Sequence, residues 1–105
     1  MAQFSNAGIA YYAERLTNGA LDILTDRNDA IVSLPFGAFT VSGNTAIASG
    51  LKAKAVMDGT ADTWRAVTPD GEVMISGIVG ADLTLDRVDI QRGGTVTIEE
   101  FVIRG

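Results

Sequence analysis

The sequence predicts a mainly β domain, a β-sandwich or jelly-roll-like fold carrying one short N-terminal helix. Three observations lead there. Apolar residues recur at helical spacing near the start, over about residues 5–18. From about residue 20 to residue 103 the period is two, in short runs rich in Val, Ile and Thr. Between those runs stand Gly, Pro, Asn and Asp, the residues that antiparallel turns demand. With 105 residues, 47% of them hydrophobic and 20% charged, the chain is long enough to bury one core and reads as a single domain over residues 1–105.

In the helix, Ile9, Tyr12, Ala13 and Leu16 fall at i, i+3, i+4 and i+7, with Ser5 or Asn6 as the cap. Asn18-Gly19 tolerates positive φ and ends it. Three turns are unstable alone, so this helix needs a sheet to lie on. "ALDILTD" and "AIVSL" read as strands either side of the polar turn "DRND", the second ended by Pro35. "PFGAFTVSGNTA" reads as loop. "TAIAS" and "LKAKAVM" read as two further strands, the latter with Lys52 and Lys54 facing solvent.

"TADTWRAVT" and "EVMISGIVG" flank "PDG", where Pro69 suits the first turn position and Asp70-Gly71 supplies positive φ. This is the clearest hairpin in the chain. Trp64 and Ala66 share one face, Arg65 and Val67 the other. A lone strand Trp buries a large area and reads as a core anchor; the alternative is a stacking platform for a sugar or base. "ADLTLD" and "VDI" continue the pattern up to a Gly93-Gly94 turn. In the last run, "TVTIEEFVIRG", Val96 and Ile98 have one parity and Phe101 and Ile103 the other. A β-bulge at Glu99-Glu100 would turn all four inward, and the alternative is a strand buried on both faces. The count is one helix and seven to nine strands, with Trp64, Val96, Ile98, Phe101 and Ile103 in the core.

Thirteen acidic residues against eight basic ones leave a net charge of −5, and the bases form no stripe. That disfavours nucleic acid and anionic lipid as partners. Cysteine and histidine are absent, which removes disulfides, Cys/His zinc sites and the usual nucleophile–base pairs. No phosphate-binding glycine loop is present, so no cofactor is expected. Carboxylates that stand close in sequence, Asp58 with Asp62, Asp86 with Asp89, and Glu99 with Glu100, read as solvated faces. Asp26–Asp29 matches a calcium loop poorly, with Ile31 at the sixth position and no Glu at the twelfth. Met1 is followed by neither a basic segment nor a long apolar run, so no signal peptide or transmembrane helix is expected. The candidate contact residues are aromatics off the clear strands and the chain's end: Tyr11 and Tyr12, Phe36 and Phe39, Glu100 and Arg104; for the aromatics, packing under a loop is an equal alternative.

The order of these segments resembles a family of small structural proteins of tailed bacteriophages, in particular capsid decoration (cement) proteins. The likeness runs from the alanine-containing helix and "GALDILTD" through "AIVSLPFGAFTVSGNTAIAS" and "GTADTWRAVTPDGEVMISGIVG" to "ADLTLD" and "GGTVTIEEFVIRG". It rests on Pro35 with Phe36-Gly37-Ala38, on Gly59, Ala61, Trp64 and Arg65, and on Asp70-Gly71. It continues through Gly77, Gly80, Asp82-Leu83, Leu85, Gly93-Gly94 and Val96. The chain departs from the family's longer Gly-rich stretch after the helix, keeping Asn18-Gly19 alone. The resemblance implies a non-enzymatic virion protein, made in the host cytoplasm, that binds the major capsid protein over subunit joints and self-associates. The alternatives are a tail, fibre or head-tail component, and a carbohydrate-binding module with Trp64 as its platform.

Overall fold

The computed structural model describes residues 2–3, 6–80, 85 and 88–104, and the predicted "ADLTLD" strand lies largely outside the described residues. The helix α1 (Asn6–Leu16) is followed by β2 (Ala20–Leu24), β3 (Ala30–Pro35), β4 (Thr40–Ser42) and β5 (Thr45–Lys54). Then come β6 (Gly59–Thr60), β7 (Thr63–Val67), β8 (Val73–Ile78), β9 (Asp89–Ile90) and β10 (Thr95–Arg104); β1 (Ala2–Gln3) precedes the helix. A first sheet has the order β1-β10-β5-β4, a second β3-β2-β7-β8, and β6-β9 makes a small ribbon. All neighbours are antiparallel except β1 and β10. The chain is a mainly β, sandwich-like domain with one short helix.

One buried cluster joins the layers. Ile9, Ala13 and Leu16 of α1 meet Leu21 and Ile23 of β2, Leu34 of β3, Trp64 of β7, and Phe101 and Ile103 of β10. The helix lies against β5, whose inward residues there, Ala46 and Ala48, are small. It ends as the sequence expects, though at Leu16 rather than near residue 18. Asn18 takes the left-handed conformation (φ 65°), and Gly19 N–H bonds back to Leu16 O at 2.8 Å. Gly19 itself is needed for space: a Cβ there would stand 2.1 Å from the Val67 carbonyl oxygen.

The hairpin at "PDG" forms between β7 and β8, with Gly71 at φ 88° and Gly71 N–H bonded to Thr68 O. Three expectations change. "PFGAFTVSGNTA" is not all loop, because Thr40–Ser42 pairs with β5 across a Gly43-Asn44 turn. "TAIAS" and the "LKAK" of "LKAKAVM" belong to one ten-residue strand that ends at Lys54. The described residues hold ten strands, because three of them are only two residues long.

The parity switch in β10 is present, but a bulge does not cause it. Ile98 pairs with Leu51 and Phe101 with Ala48, so the β5–β10 register is unbroken. Both strands kink at the same level: Glu99 and Glu100 are exposed on β10, Ser49 and Gly50 on β5. Gly50 adopts φ 65°, a conformation a side chain resists. Facing switches on both strands at this level, so Val96, Ile98, Phe101 and Ile103 are all buried while the pairing keeps one register on either side of it.

Candidate interaction surfaces

The aromatic residues divide between core and surface. Trp64 is 1% exposed, its ring 5.2 Å from Phe101 in an edge-on arrangement. Phe101 also meets Phe36 at 5.3 Å, and Phe36 meets Phe39 at 5.0 Å. Phe36 is therefore a core residue at 3% exposure, which bears out packing under the loop and removes it as a contact residue. The cause is local: Phe36 N–H bonds to Gly19 O and Gly37 O accepts from Asn18 N–H, so this segment is tied to the end of α1 and the ring is drawn under it. Phe39 is half-buried against the same cluster. The Trp64 indole N–H is buried and has no acceptor among the described residues.

Tyr11 is 56% exposed on α1, with half-buried Tyr12 edge-on beside it at 5.7 Å. Glu100 is exposed at the shared kink. Arg104 is held by its backbone between Gln3 of β1 and Thr45 of β5. Of the predicted contact residues Tyr11 and Glu100 are accessible, and the two Phe residues pack into the fold.

The sequence could not say which strands form the sheet edges or which apolar side chains they expose. Thr40, Val41 and Ser42 are all exposed on β4, the edge of the first sheet and a neighbour of α1. Val73 and Ile78 are exposed on β8, the last strand of the second sheet. Alternation in "EVMIS" groups Val73 with buried Ile75, and only the register shift against β7 turns Val73 outward.

The acidic residues near the small ribbon are engaged in structure. Asp58 accepts from the Arg92 N–H at 2.7 Å, and Asp89 accepts from the Thr60 hydroxyl at 3.0 Å. In "TDRND" the Thr25 hydroxyl accepts from the Arg27 and Asp29 N–H groups, and Asn28 has φ 65°, which closes a tight turn. An open groove of about 510 Å³ lies beside it, lined by Thr25, Asp26, Asp29, Gly59, Thr60 and Asp62. Among the described residues no group of three carboxylates is placed to hold a metal ion, and no helix is long and apolar enough to cross a membrane. No family model, curated protein or solved structure matches this chain.

Proposed function

We propose that this chain is a non-enzymatic structural protein of a tailed-phage virion, a capsid decoration protein. It binds the outer shell over joints between major capsid protein subunits, stabilises those contacts, and self-associates there. The observation that carries this reading is the commitment of the Gly59–Gly80 stretch to the scaffold. Its hairpin pins the two sheets together through Trp64 against Phe101, so that ring is no platform for a sugar or base. The segment order quoted above, which resembles the phage structural family, points the same way.

The physics suits the role. A shell bound from outside calls for a rigid module with exposed edges; β4, which contacts α1, offers main-chain pairing, and Tyr11 is an exposed aromatic on that helix. A net charge of −5 keeps the chain from competing for packaged DNA. The test is reconstitution. Purified chain is added to particles assembled without it, and the particles are heated or osmotically shocked. Saturable binding with a raised rupture temperature supports decoration. No binding to shells, with incorporation at the tail or portal instead, moves the role to that structure.

A further inference from the structure

The outward face of the second sheet is ordered in transverse rows by its register. Pro35, Ala20, Val67 and Val73 stand side by side across all four strands, an apolar row. A shift in the β7–β8 register places Val73, rather than Met74, opposite Val67. The next row is Ser33, Asp22, Arg65 and Ser76, and beyond it Thr63 pairs with Ile78. Val73 and Ile78 are 50% and 59% exposed and Pro35 is exposed, while at the centre Ala20 and Val67 are half-buried and the Arg65 and Asp22 side chains are 39% and 13% exposed. The charges in these rows are one acid and one base bonded to each other, Arg65 Nε to Asp22 Oδ2 at 3.1 Å. A neutral face therefore sits on a chain of net charge −5.

We propose that two copies of this chain meet on this face, related by a two-fold axis that lies in the interface parallel to the strands. The Asp22–Arg65 pair straddles the line between β2 and β7, the two middle strands. An axis along that line exchanges left for right and keeps every row at its own level. The partner's Arg65 then lies over Asp22, and the partner's Asp22 over Arg65. The apolar row meets itself, Pro35 against the partner's Val73 and Ala20 against the partner's Val67. An axis across the strands through this row would instead oppose Asp22 to the partner's Asp22 and set the apolar row against Thr63. Charge and apolar matching thus select one arrangement, an isologous one. It also lets two acidic molecules approach where neither carries net charge.

Four strands about 4.8 Å apart and about five residues long give a face of roughly 300–400 Å². A standard interface buries about 800 Å² per partner, so this dimer is a weak one, with a dissociation constant of roughly 0.1–1 mM. Chains held side by side on a lattice would use it through effective concentration. The inference rests on the self-association in the proposed function but is tested in solution without particles. Its failure leaves shell binding standing, and absence of the chain from shells leaves the dimer standing.

The test is sedimentation equilibrium of the full chain up to about 1 mM, where such an affinity becomes visible. The wild type should dimerise. Asp22→Arg and Arg65→Asp should each weaken self-association at least tenfold, and their mixture should form heterodimers at least tenfold tighter than either alone. The double variant D22R/R65D restores both the internal pair and the crossed pairing, so it should dimerise like the wild type. Should a single variant fail to fold, Val73→Lys on the exposed edge serves in its place and should abolish the dimer. A monomeric wild type, a mixture of folded variants that stays monomeric, or V73K dimerising unchanged would overturn the proposal.

Discussion

Replacing Gly19 by alanine tests how the helix is docked. The added Cβ would stand 2.1 Å from the Val67 carbonyl oxygen and 2.9 Å from that of Leu16. An ordinary carbon–oxygen contact is about 3.3 Å or more, so the chain must move by roughly 1 Å. Both obstacles are backbone. Moving Val67 disturbs its pairing with Ala20 and Val73, and moving the α1 terminus displaces buried Leu16. Overpacking of this kind costs about 1–3 kcal/mol, against roughly 0.4–1 kcal/mol returned by the stiffer unfolded chain. The net loss should be about 1–2 kcal/mol, a sizeable share of the 5–15 kcal/mol typical of a domain. For a domain of this size that lowers the melting temperature by about 4–16 °C. Thermal and urea denaturation followed by circular dichroism measure it. If Gly19→Ala melts within about 3 °C of the wild type, the close approach of α1 to β7 is wrong.

The remaining predictions concern the core, the kink and the surface. Trp64→Ala should cost about 3–5 kcal/mol in urea titrations, whereas Trp64→Phe should cost under about 2, because the indole N–H gives up no bond seen among the described residues. Gly50→Ala has open space but a φ of 65°, so its loss of about 1 kcal/mol should be purely conformational, and Gly50→Asn should lose less. Tyr11→Ser should change stability by less than about 0.5 kcal/mol yet weaken shell binding in co-sedimentation, since the ring is mostly exposed.

What the sequence disclosed was local. The helix follows from Ile9, Ala13 and Leu16 and their spacing, and the β7–β8 hairpin from Pro69, Asp70 and Gly71, all within a few residues. What it hid depends on partners distant along the chain. Ser49-Gly50 looks like the end of a strand, but pairing with β10, some fifty residues on, carries β5 straight through it. The facing switch in β10 can be read from its own parity, whereas the unbroken register depends on the matching kink in β5. Phe36 sits beside a glycine in a loop-like stretch, and its burial follows from hydrogen bonds to the end of α1. The neutral face of the second sheet is assembled from four strands, so no single stretch displays it.

The central claim is that this domain covers a virus shell. Cryo-electron microscopy of purified particles from the source of this chain tests it most directly. The account predicts regular density of the sandwich at many equivalent positions on the outer surface, over joints between capsid subunits. Density confined to the tail or portal vertex, or particles without the chain, would contradict it.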